Sequence, residues 1–509
     1  MMSLLITVLC AMSLAVHVWM GFALGLSVDE AHYALYALHP ALSYFDHPPL
    51  VGWVQMPFVF LGGFDWLMRV VPLALWGLTA YLLFSFPTHS PPPLSRLLDG
   101  RGGLDFSSAK GEATYTSPPA LADSKHIGVM TVILFLLSPV HQLLGLALVP
   151  DSLLLPLTLW VMVLTWRLSS DISSRAYWIW LGLALGLAGL SKYTGVFLAL
   201  GAAIVLLPTF GASLFKSRGV WLAALIAAVM ISPVIAWNAQ HEWASFAYQI
   251  NHADGNTNGW QANRVLTYSL VQLVAYGCLP LLGLVVFLVK LRKDHAALTR
   301  LYLAFGLPLM LVTLWVSGKG AALPHWTAGA WVALLPLSAM GLQHVWQRST
   351  GITRKAMRAV LCALAALQAI ALVALAFAMS TGGHWQGQTV AGSVAAETGN
   401  PFADLYDWQA ASVKARALQE THHVDALAVG NWTLASRLAW YGRPSKAWAL
   451  DGKNKQFEMW FGKLEYGQSF IWVDWSQMPM QKPVGCQKLE SSSYLGKHSQ
   501  FDFYKCGRV

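Results

Sequence analysis

Apolar stretches of membrane-spanning length fill the chain as far as residue 380. They fall at about 4–26, 66–86, 127–148, 151–168, 177–191, 193–210, 219–237, 267–289, 300–317, 325–343 and 358–380. A helix needs roughly 20 mostly apolar residues to cross a bilayer, so about eleven spans are predicted. No internal repeat is evident. After 380 the pattern changes. "DLYDWQAASVKARALQE" carries helical spacing, and "DALAVG", "SKAWAL", "SFIWVDW" and "FDFYKC" read as short strands, which predicts a small α/β domain over 381–509. Residues 87–126, rich in Pro, Gly and Ser, are predicted to be a mobile loop.

Composition agrees with this pattern. Of 509 residues 56% are hydrophobic, 24 are Trp, and only 11% are charged. So large an apolar surplus has to face lipid. The first run has no basic leader and no small-residue cleavage site, so it reads as a retained span. Cys486 and Cys506 lie in the polar C-terminal region. They are expected to form a disulfide if that region is outside the reducing cytoplasm.

Basic residues orient the spans. Arg96, Arg101, Lys110, Lys125, Arg167, Arg175, Lys216, Arg218, Lys290, Arg292, Lys293, Arg300, Arg348, Arg354, Lys355 and Arg358 fall on one side. The other side, before the tail, holds only Arg69, Lys192, Arg264 and Lys319. The positive-inside rule places the N-terminus in the cytoplasm, with 27–65 and 381–509 outside. The net charge of +9 is thus mainly a topology signal. A nucleic-acid footprint would cluster on one soluble surface, and none does.

The first outer stretch, "SVDEAHYALYALHPALSYFDHPPLVGW", concentrates Asp29, Glu30 and Asp46 with His32, His39 and His47. "DEAH" spells a helicase box, but no phosphate-cradling G-x-x-x-x-G-K-[ST] loop accompanies it, so neither a helicase nor a nucleotide cofactor is expected. Ionisable groups beside a bilayer are functional candidates by default. If "DEAHYALYAL" is helical, Asp29 lies at its N-cap or first turn, where capping is the bland reading. Asp151 in "LVPDSLLL" has the same two readings. Lys192 in "GLSKYTG" and Arg69 are snorkelling anchors or phosphate ligands. The long outer loop offers His241, Glu242, His252 and Arg264, without the second histidine of a zincin helix. Asp46, His47 and His252 are a possible divalent-metal set. Carboxylates with scattered cations on an outer face suit an anion that arrives through the membrane, such as a lipid phosphate.

These stretches, with "FDWLMRVVPLALWG", "GLAGLSKYTGV", "SGKGAALPHWTAGAW" and "NPFADLYDWQAA", resemble the polyprenyl-phosphate-dependent glycosyltransferases of the GT-C fold. That group includes lipid A aminoarabinose transferase and, more distantly, protein O-mannosyltransferases. The resemblance runs across most of the chain. It implies a polytopic α-helical transferase domain over 1–380, with periplasmic juxtamembrane helices in 27–65 and a cytoplasmic loop at 87–126. A periplasmic α/β domain over 381–509 completes it, all in a bacterial inner membrane. It implies catalytic roles for Asp29, Asp46 and Asp151, substrate contacts by Glu30, His47, Arg69, Lys192 and His252, and a divalent cation on Asp46 and His252. His47 stands where the aminoarabinose branch has Lys, a weaker anion partner unless protonated.

The implied reaction is inverting transfer of one sugar from undecaprenyl phosphate to a periplasmic acceptor, lipid A or another envelope glycolipid. Asp29 would take the acceptor's proton, and the cations would steady the leaving phosphate. A protein acceptor, a ligase moving a whole glycan, and a lipid or sugar transporter are the alternatives. A transporter usually shows inverted repeats and broken mid-membrane helices. The expected partners are the lipid-linked donor, a lipid or glycan acceptor and membrane lipids; neither sugar, acceptor nor oligomeric state follows from the sequence.

Overall fold

The computed structural model describes residues 2–85, 121–254, 259–320, 322–348, 350–382, 402–451, 455–494 and 499–507. Two compact units are present. One comprises Met1–Ser13, Ala74–Gly145 and Pro150–Ala369; the other comprises Leu14–Leu73, Leu146–Val149 and Ile370–Val509. The units do not follow the expected division at 380, because the stretch 27–65 packs with the C-terminal region. Most of the expected loop 87–126 falls outside the described residues, and helix resumes at Leu121.

This is a multi-pass membrane protein, and each of the eleven apolar stretches forms a helix or a bent helix pair. Among the described residues eight helices are individually long and apolar enough to cross a bilayer, ten with the bent pairs counted. The pairs are Lys125–Leu136 with Pro139–Leu146, bent by 74°, and Ala262–Tyr276 with Cys278–Lys290, bent by 103°. Pro139 and Gly277 explain the breaks. Proline removes a helical donor, and Gly277, at φ +84°, adopts a backbone that side-chain-bearing residues avoid. Arg175–Ser191, at 17 residues, is the stretch that falls short of spanning length.

In the second unit a five-stranded sheet is ordered β2-β1-β3-β5-β4. The strands are β1 (Ala426–Val429), β2 (Ala447–Ala449), β3 (Phe470–Trp475), β4 (Gln487–Tyr494) and β5 (Ser499–Cys506). β1 pairs in parallel with β2 and β3, while β5 runs antiparallel to β3 and β4. β1 is buried at every position, as a central parallel strand requires. The four strands and one helix read from the sequence are present. The helices Trp432–Tyr441 and Lys455–Phe461, and β4, carried too weak a pattern to be foreseen. Cys486 and Cys506 form the expected disulfide.

One core joins the first outer stretch to this sheet. Ala31, Ala34 and Leu35 pack with Trp408, Leu434, Leu438, Trp440, Phe501 and Phe503. The helix Val28–Leu38 thus lies against Trp432–Tyr441. Its other side meets Gly52, where an added Cβ would come within 2.5 Å of the Tyr36 Cβ.

Candidate functional site

The acids of the first outer stretch are sorted by the helix Val28–Leu38. Ser27 is its N-cap, and a reciprocal capping box joins the Ser27 side chain to the Glu30 backbone and the Glu30 carboxylate to the Ser27 backbone. Capping therefore belongs to Ser27 and Glu30, and Asp29 sits in the first turn.

Glu30 also holds Arg69. Nε donates to Oε1 at 2.8 Å and Nη2 to Oε2 at 3.1 Å, with both side chains buried. The remaining guanidinium donors meet the carbonyls of Leu24 at 2.6 Å, Gly25 at 2.7 Å and Gly21 at 3.2 Å. All five N–H donors of Arg69 are thus engaged inside the protein. Glu30 and Arg69, expected to contact substrate, are joined to one another, and the pair clamps the end of Met2–Ala23 to the start of Val28–Leu38.

Asp46 is held as firmly. The Tyr36 hydroxyl donates to Oδ1, and His32 Nε2 lies 3.3 Å from Oδ2. On the far side of the ring, His32 Nδ1 is 3.2 Å from Ser436 Oγ, whose own proton goes to the Trp432 carbonyl. The imidazole is thus held between Ser436 and the Asp46 carboxylate. Rings of Tyr36, Trp432 and Trp460 surround the imidazole. Burial alone would raise the Asp46 pKa, but the charge and hydrogen bond of His32, the charge of His47 and the Tyr36 hydroxyl outweigh it. Its carboxyl lies well below the usual range.

The turn 39–49 is fixed from within. Tyr44 stacks on Tyr36 at 3.5 Å, and its hydroxyl donates to the Tyr36 carbonyl at 2.7 Å. The Phe45 amide donates to Gln456 Oε1 at 2.8 Å. His47 is half-buried with its ring edge against Tyr33.

Asp29 differs from these neighbours. It is partly exposed, and among the described residues no hydrogen bond or ion pair reaches its carboxylate. Burial pushes its pKa up to about 6; His32 opposes the rise, and the carboxylates of Asp46, Asp404 and Glu30 add to it. A carboxylate titrating near 6 and unengaged by its surroundings suits general acid–base work.

Beneath this cluster the C-terminal region ties in the same backbone. The Leu26 amide donates to the Tyr441 hydroxyl at 2.6 Å, and that hydroxyl donates to Asp65 Oδ2 at 2.7 Å. The Val28 amide donates to Asp404 Oδ2 at 3.3 Å. Asp404 also pairs with Arg437, a fully buried guanidinium stacked 4.2 Å over Trp408. His32 was noted from the sequence only as one of a cluster of histidines, and Tyr36, Ser436, Tyr441, Asp404 and Arg437 were not singled out. His32 and Tyr36 alone carried a legible signal: with Asp29 they stand at i, i+3 and i+7 on one helix face.

The other unit brings Asp151 and Lys192 together. Asp151 opens the helix Pro150–Ser170. Arg175–Ser191 ends before Lys192, whose backbone turns extended, and Ser191 Oγ donates to the Pro150 carbonyl at 2.8 Å. Lys192 Nζ then meets both Asp151 oxygens, at 2.8 and 2.7 Å, with both side chains buried. His325, not foreseen, joins them with Nε2 3.7 Å from Asp151 Oδ2. Lys192 also lies over the Trp326 ring at 5.6 Å.

The expected cation ligands are only partly within the described residues. The His252 side chain lies outside the described residues, and both Asp46 oxygens face His32 and Tyr36. Among the described residues no group of three or more His, Cys, Asp or Glu is placed to hold a metal ion.

Comparison with known proteins follows the geometry. The dolichyl-phosphate-mannose-protein mannosyltransferase family model matches residues 121–237. Lipid A galacturonosyltransferase RgtD of Rhizobium johnstonii is 25% identical over 327 residues, which are 63% of this chain and 61% of that protein. The chain thus spans about three fifths of the length of this curated relative. Among solved structures, apo ArnT from Cupriavidus metallidurans superposes with a TM-score of 0.60 at 14% identity, over 99% of this chain and 98% of that one. The same protein bound to undecaprenyl phosphate gives 0.60 at 13% identity, over 98% and 97%. The fold is therefore that of ArnT, and the resemblance to GT-C polyprenyl-phosphate-dependent glycosyltransferases read from the sequence is borne out.

Proposed function

We propose that this protein is an inverting glycosyltransferase that moves a single sugar from a polyprenyl phosphate, undecaprenyl phosphate in a bacterial inner membrane, to an acceptor on the periplasmic face. The observation that carries the reading is Asp29, unengaged and titrating near 6, among acids that are all locked in place. An acceptor hydroxyl loses its proton to Asp29 as it attacks the anomeric carbon opposite the phosphate. A positioned base of this kind contributes about 10²–10⁴-fold. Glu30 and Arg69 position the helix that presents Asp29, and Asp46 with His32 and Tyr36 holds its far end. In the other unit, Lys192 is bound through Nζ to both Asp151 oxygens and is the residue expected to meet an anionic group.

The lipid-linked donor is supported by the undecaprenyl phosphate bound to the ArnT structure and by the mannosyltransferase family match. A lipid A acceptor is supported by the relative RgtD. The family match favours a second reading, in which the acceptor is a protein hydroxyl.

The test is release of free undecaprenyl phosphate from a panel of undecaprenyl-phosphate sugars, in membranes containing wild type or Asp29→Asn. Release by wild type and its loss in a folded variant is the expected result. Release unaffected by the variant removes Asp29 from catalysis. No release from any donor, with lipid A and protein acceptors supplied, refutes the transferase reading.

A further inference from the structure

A polar side chain inside an apolar span is costly and rare. From Ala359 to Met379 the helix Gly351–Ser380 carries one, Gln368. Its amide is engaged by two other helices. Nε2 donates to the Leu137 carbonyl at 2.6 Å and to the Tyr276 carbonyl at 3.2 Å. Leu137 and Tyr276 stand at the breaks of the two bent helix pairs.

A helix end leaves its last carbonyls without intrahelical donors, and hydrocarbon supplies none. Here side chains supply them. Gln142 donates to the Leu136 carbonyl, Gln368 to those of Leu137 and Tyr276, and the Ser138 hydroxyl to that of Ala275 at 3.2 Å. Ser138 and Gln368 thus each join one break to the other. Gly277 makes room for the amide, since an added Cβ there would lie 2.0 Å from Gln368 Nε2.

The joint continues into the turn Pro324–Thr327. The Tyr276 hydroxyl donates to the Pro324 carbonyl at 3.0 Å. Gln272, on the same helix, donates to that carbonyl at 3.2 Å and accepts from the Thr327 hydroxyl at 2.7 Å and Trp331 Nε1 at 3.1 Å. From the other break, His141 sets its ring edge-on to Tyr276 and brings Nε2 3.4 Å from the Ala328 carbonyl. The turn carries His325, 3.7 Å from Asp151, and Trp326, whose ring lies 5.6 Å from Lys192 Nζ. A run of contacts therefore leads from Gln368 through Tyr276 to the surroundings of Asp151 and Lys192.

We propose that Gln368 is a positioning residue: by tying the two helix breaks together it fixes the turn that packs against the Asp151–Lys192 pair. Without the amide, two carbonyls at the joint lose a shared donor. The breaks then part or admit water, and Tyr276 moves with the turn it holds. The inference rests on the polyprenyl-phosphate reading above and deepens it, because it names what holds one side of the Lys192 site in place.

The test uses the full chain in lipid nanodiscs, with Cys10 and Cys362 replaced by Ala. Cys278, an unbridged thiol next to Gly277, then reports opening of the joint through its rate of alkylation by N-ethylmaleimide. Steady-state release of undecaprenyl phosphate from its sugar donors gives kcat and KM. Gln368→Met, which keeps the length of the side chain and removes both donors, should speed alkylation about tenfold or more, as an unsatisfied buried carbonyl favours opening. Its kcat should fall roughly 10- to 10²-fold, the effect of a small misplacement at a reacting site. KM should stay within a few-fold, because the Asp151–Lys192 contacts and the bond from Ser191 to Pro150 are untouched. Tyr276→Phe, which cuts the link to Pro324 and leaves the joint tied, should lower kcat without speeding alkylation. If Gln368→Met is not monodisperse, Ser138→Ala, which removes the other tie, is read in its place for the same directions. Unchanged alkylation would overturn the tie. Faster alkylation with unchanged kcat would overturn the positioning role, as would an equal loss in kcat and in thermal stability with no difference between Gln368→Met and Tyr276→Phe in alkylation. If wild type releases no undecaprenyl phosphate from any donor, the underlying reading fails and the positioning role with it; release by wild type with indifferent variants defeats the Gln368 assignment alone.

Discussion

Glu30→Gln isolates the clamp that presents the candidate base. The substituted amide keeps the shape of the side chain and can still accept hydrogen bonds, but it removes the counter-charge hydrogen-bonded to the buried Arg69 guanidinium. Both groups are almost inaccessible, at 5% and 6% side-chain exposure, and they are joined by two short contacts. Breaking a buried pair from one side costs about 3–5 kcal/mol. A unit of this size shifts in melting temperature by about 2–4 °C per kcal/mol, so a loss of roughly 10 °C is expected. The assay is thermal unfolding of the purified full chain in detergent. Ser27→Ala serves as a control that removes only the capping hydroxyl, at a cost of about 1 kcal/mol. Glu30→Leu combined with Arg69→Met should lose less than the two single changes together, since the coupling between contacting partners is about 0.5–3 kcal/mol. A Glu30→Gln melting temperature within about 2 °C of wild type, less than 1 kcal/mol on the same scale, would refute the clamp. It would return Glu30 and Arg69 to the list of substrate ligands.

Three further outcomes are expected. Because Asp29 must be ionised to accept a proton and its pKa is pushed up to about 6, turnover should rise with pH through about 6; a flat acid limb in undecaprenyl phosphate release would contradict its role as base. The Asp46 pKa is depressed in the folded protein, so the stability it contributes is full above the ordinary carboxylate range and is lost as pH falls through the folded value. Acid unfolding monitored by tryptophan fluorescence should therefore be less steep in Asp46→Asn, and identical curves would count against the His32–Asp46 pairing. Cys486 and Cys506 should resist alkylation until reduced, and replacing both with Ser should cost the C-terminal sheet about 2–4 kcal/mol by denaturant unfolding; ready alkylation without reductant would show that the bridge is absent.

The sequence by itself determined the membrane class, the eleven apolar helices and most of the C-terminal sheet. These follow from local hydrophobic period, which each segment carries whatever its neighbours do. It also marked Asp29, Asp46, Asp151 and Lys192 as out of place in a chain so poor in charge. It could not say which of them are engaged. Arg69 and Lys192 looked alike as isolated cations beside a bilayer, yet Arg69 has all five donors inside the protein, while among the described residues Lys192 Nζ is hydrogen-bonded to the Asp151 carboxylate. That difference depends on Glu30, 39 residues away, and on Asp151, 41 residues away. His325 and Ser436 were invisible for the same reason: a histidine after a proline and a serine inside a helix have no distinguishing local pattern. Their partners, Asp151 and His32, are far off in the chain, and only folding brings them within reach. Hydrophobic period is a property of one segment, whereas the state of a buried charge is set by groups from several, so the fold was legible in the chain and the division of labour among its acids was not.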